Sequence, residues 1–145
     1  MKYMAEAREK SKSKGSWFSS SNPKEEAADL YAKAANAFKL DKKYKEAGDA
    51  FMSQGEMLEL VKERFDACTS YLNASKCYKK DYPKEAINAL QLSISILVEN
   101  GRFSTAANNQ KQIAEIYETE IVDFAKCIQA YEKAAEWYSS EDSFA

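Results

Sequence analysis

Histidine is absent from this 145-residue sequence. Its absence removes the commonest general base, the Ser-His and Cys-His nucleophile pairs and the commonest zinc ligand. Glycine and proline are scarce, 4 and 2 residues respectively, so little of the chain is set aside for turns, which argues against a β-sandwich or barrel. The cysteines, Cys68, Cys77 and Cys127, are odd in number and show no C-x-x-C spacing. They read as reduced core residues of a cytosolic protein. No run approaches the roughly 18 apolar residues of a membrane span; the best stretch, Leu92 to Val98, is interrupted by Ser93 and Ser95. No secretory leader is visible. There is no Gly-rich phosphate loop, and Glu118 and Glu120 read as solvated helix-end residues and not a catalytic pair. The sequence therefore predicts no enzyme, no catalytic residue, no metal and no cofactor.

What is present is apolar and charged in a helical balance, 45% hydrophobic and 30% charged. Charge is polarised along the chain. Lys2, Arg8, Lys10, Lys12 and Lys14 outweigh Glu6 and Glu9, a surplus of +3 that leaves −5 for the rest of a chain whose net charge is −2. A net-acidic body without a basic stripe and interleaved aromatics predicts no nucleic-acid partner.

An internal repeat of about forty residues organises the chain. Ala27, Tyr31, Ala34 and Phe38 fall on Ala67, Tyr71, Ala74 and Tyr78, then on Ala107, Lys111, Ala114 and Glu118, where Ile113, Ile116 and Tyr117 restore the apolar face. A second series interleaves: Ala47, Phe51 and Gly55; Ala86, Leu90 and Ile94; Cys127, Tyr131 and Ala135. Helical spacing and small residues beside aromatics predict two alternating helix types that interdigitate. Breaks at Leu40–Lys43, near Glu63, at Asp81–Pro83, at Asn100–Gly101 and near Thr119–Asp123 divide them, with Pro83 suited to a first helical turn and Gly101 to a C′ position.

The expected fold is all-α, a right-handed α-solenoid of antiparallel helix hairpins, tetratricopeptide-like with longer units. It forms one domain, 1–145: a leading helix over 1–14, an aromatic loop over 15–23, three hairpins over 24–138 with helices near 24–39, 44–60, 64–79, 83–99, 103–118 and 124–138, and a tail over 139–145.

Function is expected off the repeat. Trp17 and Phe18 stand among Gly, Ser, Asn and Pro beside the basic leading helix, which suits either a cap on the solenoid end or contact with an anionic membrane surface. Cations cluster near helix ends: Lys42 and Lys43, Lys79 and Lys80, and Arg102. Together they could line a face for an acidic partner.

The run Asn100-Gly-Arg-Phe-Ser-Thr-Ala-Ala107, continued by Ile113-Ala-Glu-Ile-Tyr-Glu-Thr-Glu-Ile-Val-Asp123, closely resembles the alpha-type soluble NSF attachment proteins. So do Glu26-Ala-Ala-Asp-Leu-Tyr-Ala-Lys-Ala-Ala-Asn-Ala-Phe38, Ala47-Gly-Asp-Ala-Phe51, Pro83-Lys-Glu-Ala-Ile-Asn88 and Tyr131-Glu-Lys-Ala-Ala-Glu-Trp-Tyr138. The resemblance implies a cytoplasmic, peripherally membrane-associated adaptor that coats assembled SNARE complexes and recruits the AAA+ ATPase NSF, which pulls them apart. It implies membrane contact through Trp17 and Phe18, and a SNARE-binding surface that includes Arg102 and, as further candidates, Lys79 and Lys80. Asn108 departs from the family, which usually has a cation there, and the aromatic loop lacks a further apolar pair. Family members also run about twice as far, which implies that this chain is an N-terminal fragment without the NSF-stimulating C-terminus, ending on an exposed apolar helix face. A different reading is a generic tetratricopeptide-type, cochaperone-like clamp for a peptide carboxylate; Asn36 and Lys76 lie on successive helices of one type for it, one step out of register.

Overall fold

The computed structural model describes residues 4, 6, 7 and 22–142. Trp17 and Phe18 lie outside the described residues. Met4, Glu6 and Ala7 are helical, and Ala7 is buried against Ala27 and Tyr31. Beyond them run α1 (Pro23–Leu40), α2 (Tyr44–Leu60), α3 (Arg64–Tyr78), α4 (Pro83–Glu99), α5 (Phe103–Ile116), a π-helical turn (Tyr117–Ile121) and α6 (Phe124–Asp142). Each helix packs chiefly on the one before and the one after it, so consecutive helices run antiparallel and helices of like parity run parallel. The six helices from Pro23 onward fall close to the ranges the repeat predicts, while most of the expected leading helix over 1–14 lies outside the described residues. The last helix continues past the expected 138, and α5 ends two residues early by passing into the π turn.

Local chemistry explains the boundaries. Asn22 caps α1, its side chain accepting from the Lys24 amide at 2.8 Å, with Pro23 in the first turn and Glu25 and Glu26 facing the positive helix end. Three helix ends share one closing motif. Lys43 N–H donates to Phe38 C=O, Glu63 N–H to Leu58 C=O and Arg102 N–H to Leu97 C=O, each at 2.8 Å. The residue before each donor is left-handed: Lys42 at φ 59°, Lys62 at φ 65° and Gly101 at φ 71°. This is the Schellman arrangement, and the following residue begins the next helix with no further linker.

The core is built from alanines under aromatic rings. Both A-series stripes are buried: Ala27, Tyr31, Ala34 and Phe38 on α1, Ala67, Tyr71, Ala74 and Tyr78 on α3. On α5, Ala107, Ile113, Ala114 and Ile116 are buried while Lys111 is exposed, as is Glu118 in the π turn that follows. The B-series residues of α2 and α4 are buried as well. The α6 series needs correction. Cys127 is buried, but Tyr131 is 36% exposed and Ala135 is exposed, and Ala130 and Ala134 turn inward instead. Their expected face points away from α5, toward the side on which the next helix of the repeat would pack.

Tyr71 and Tyr78 lie against Gly55 and Gly48 of α2. Seven residues forward on one helix match seven back on the other, as antiparallel packing requires. Their hydroxyls donate to α2 carboxylates, Tyr71 to Glu59 and Tyr78 to Asp49 Oδ1 at 2.5 Å. Asp49 also accepts from Lys45 Nζ at 2.9 Å. Burial first, then the adjacent carboxylates, push both phenols well above the ordinary tyrosine range. Because the folded state holds these protons more tightly than the unfolded chain, their contribution is complete below pH about 10 and is lost as pH rises further, by roughly 1.4 kcal/mol per pH unit for each phenol. Urea midpoints measured from pH 8 to 11 are expected to fall above pH 10, and a Tyr71→Phe, Tyr78→Phe variant to fall less steeply.

Candidate functional site

The structure does not gather the predicted cations into one cluster. Lys79 closes α3 and Lys80 follows it in the α3–α4 turn, both exposed. Arg102 begins α5 at the other end of α4. Since α4 has 17 residues, that separation is about 25 Å at 1.5 Å per residue. One end of the array therefore carries Lys79 and Lys80 together with Lys42 and Lys43, of which Lys43 pairs with Asp41 at 3.6 Å. The opposite end carries Arg102, whose guanidinium stacks over the Phe65 ring at 4.9 Å, beside an Arg64–Glu99 ion pair. Phe65 is 48% exposed, so this cation–π stack presents a flat charged platform to solvent. Asn108 is exposed on α5, six residues beyond Arg102.

Two grooves open on opposite sides of the helix array. One lies between α1 and α3 over α2, lined by Asp29, Gln54, Leu58, Asp66, Thr69, Ser70 and Asn73. It is polar and acidic, and Gln54 Oε1 is buried there without a hydrogen-bond donor. The other lies between α4 and α6 with α5 as its floor. Gln91, Gln110, Ile113, Tyr117, Lys126, Gln129, Ala130 and Lys133 line a cavity of about 380 Å³. It continues past Tyr117 and Lys126 into a second cavity of about 220 Å³, which adds Lys84, Ile87, Ile121 and Asp123.

The π turn builds this junction. Asp123 N–H donates to Tyr117 C=O across the turn, Val122 takes φ 59°, and the Asp123 carboxylate accepts from the Lys126 amide to start α6. A β-branched residue in the left-handed region is strained. Here it sets Tyr117 beneath Lys126, whose ammonium lies 5.7 Å from the ring centre. Sequence reasoning missed this groove. Its signal was available: Lys84 and Gln91, and likewise Lys126 and Lys133, are seven residues apart and so share a helix face off the core stripe.

The carboxylate-clamp reading gains nothing from the structure. Asn36 is exposed beside Lys39, Leu40 and Tyr44, in a pocket in which Lys76 has no part. Among the described residues, no three His, Cys, Asp or Glu side chains converge as metal ligands would. None of the described helices is long and apolar enough to cross a membrane.

The family model for soluble NSF attachment proteins matches residues 1–145. The chain belongs to this family. Its SNAP relatives include the human alpha-soluble NSF attachment protein, 42% identical over 99% of the chain and 50% of the relative. The vesicular-fusion protein SEC17 of Coprinopsis cinerea is 50% identical over 96% of the chain and 48% of its own length. The bovine beta-soluble NSF attachment protein is 41% identical over 97% of the chain and 48% of its length. The chain thus spans about half the length of these SNAP relatives and matches them across nearly its whole extent. With membership established, the expected all-helical repeat fold stands.

Proposed function

We propose that the chain is the N-terminal portion of a SNAP-type adaptor, which binds assembled SNARE complexes in the cytoplasm and takes part in recruiting NSF for their disassembly in vesicle fusion. The observation that carries this reading is the family match over residues 1–145, with 42% identity to a protein named for NSF attachment and 50% to one named for vesicular fusion. The helix array supports it physically. Units that bury their faces against one another form a stiff scaffold, and a stiff scaffold transmits force between a bound bundle and a motor. The adaptor itself performs no chemistry.

Within this reading Arg102, Lys79 and Lys80 contact the acidic SNARE bundle. Because they stand at opposite ends of α4, they would reach separate points along an elongated partner. Trp17 and Phe18 touch the membrane, where two partly inserted rings contribute about 3–5 kcal/mol and each nearby cation roughly 1 kcal/mol on an anionic surface. Such contact is weak alone and gains from a second, simultaneous attachment.

Pull-down on an assembled SNARE bundle is expected to retain the parent chain and lose most of the Arg102→Glu, Lys80→Glu double variant. Equal retention would remove these residues from the surface. Co-sedimentation with phosphatidylserine liposomes is expected for the parent and lost by the Trp17→Ser, Phe18→Ser variant. A parent chain that stays in the supernatant would end the membrane assignment.

A further inference from the structure

We infer that the groove between α4 and α6 is a docking site for a short extended acidic peptide segment that carries two carboxylates about three residues apart.

Three lysines line it, Lys84 and Lys126 at one end and Lys133 at the other. Among the described residues, neither Lys84 nor Lys126 forms an ion pair. Lys126 is held over Tyr117, and Lys133 over the Trp137 ring at 5.6 Å. Seating on a ring reduces the freedom each ammonium must surrender on binding. Lys133 has one competitor, an exposed contact with Glu136 at 3.6 Å, of the kind that contributes little.

Between the ammonium groups lie Gln91, Gln110 and Gln129, whose side-chain amides have no hydrogen-bond partner among the described residues. A primary amide offers a donor and an acceptor together, which matches the C=O and N–H of an extended backbone. Ile113 and Ala130 give the floor room for one apolar side chain.

The length follows from helix geometry. Lys126 to Lys133 spans seven residues, roughly 10 Å of rise, and an extended chain covers that distance in about three residues. A membrane surface is disfavoured because the lining groups sit in a concavity between two helices, where a flat bilayer surface cannot reach them.

The test uses the 145-residue chain and a fluorescein-labelled eight-residue peptide with two aspartates three positions apart and leucine between them. Fluorescence anisotropy is expected to show saturable binding, weakened at least tenfold by Lys126→Glu and by Lys133→Glu. A Lys33→Glu control on α1 is expected to bind as the parent does. Replacing both aspartates in the peptide by asparagine is expected to abolish binding. Equal binding of the neutral peptide, or no loss in either variant while circular dichroism stays unchanged, would overturn the assignment. So would a parent chain that sediments with phosphatidylserine vesicles through Lys126 and Lys133 but does not bind the peptide.

Discussion

Gly55→Ala is expected to destabilise the array by roughly 2–3 kcal/mol, although alanine is the better helix former by about 1 kcal/mol. A β-carbon at Gly55 would stand 2.4 Å from Tyr71 Cε1, far inside van der Waals contact. Tyr71 cannot give way easily. It is 1% exposed, and its hydroxyl is fixed to Glu59 at the far side of the ring. The overlap must be relieved by separating α2 from α3, which loosens contacts along both helices. For a chain of this size the loss corresponds to a melting point lower by about 5–10 °C. Gly48→Ala meets the same contact with Tyr78, again at 2.4 Å, and because one separation of α2 from α3 relieves both overlaps, the double variant should lose less than the sum of the two single losses. Tyr71→Leu removes the colliding edge, so in the Gly55→Ala background it should cost less than it does alone. That sign of coupling isolates the close approach. A melting point raised by Gly55→Ala would mean that helix propensity governs the site and the packing contact does not.

The glycine–tyrosine contacts mark what was legible in the sequence. Gly55 was visible as one member of the B series, because a small residue every four or eight positions shows where a neighbour comes close. The identity of that neighbour was not visible, since Tyr71 is distant in sequence and selected only by the antiparallel register. Gly48 escaped notice for the same reason. Turn chemistry divides similarly. Gly101 announces its left-handed conformation, whereas Lys42 and Lys62 adopt the same conformation at equivalent places without a local signal; the helices on either side impose it. Buried polarity was also silent. Asn109 is 2% exposed and donates to Ser93 Oγ at 3.2 Å between α5 and α4, in a position that composition alone assigns to the surface. The cations at helix ends were legible as residues but not as a site, because which helix end a residue occupies depends on counting hairpins. The α4–α6 groove depends on the π turn, whose extra residue per turn no periodicity of 3.6 reveals.

As a 145-residue chain, the protein is expected to self-associate through α6. Phe124, Ile128, Tyr131 and Tyr138 are 61%, 55%, 36% and 39% exposed, and with Ala135 they form a stripe at spacings of three and four. The repeat shows what such a stripe is for. In α4 the corresponding Ile87, Leu90, Ile94 and Leu97 are all under 9% exposed, and in α2 the corresponding Gly48 and Gly55 receive the rings of α3. The α6 stripe therefore has the form of a seat for a further helix, and each large side chain on it gains about 1.5–3 kcal/mol when covered. Sedimentation velocity is expected to show association that grows with concentration in the micromolar range, abolished by Ile128→Lys with Tyr138→Lys. In the 145-residue chain the same pair should leave the melting point nearly unchanged, because surface substitutions of this kind act within about 0.5 kcal/mol. In a polypeptide of the relatives' length the outcome should invert. There the stripe would be covered by the protein's own next hairpin, and two lysines beneath it would cost several kcal/mol. A parent chain that stays monomeric at high concentration would show that the stripe is too narrow to hold a partner without a connecting loop.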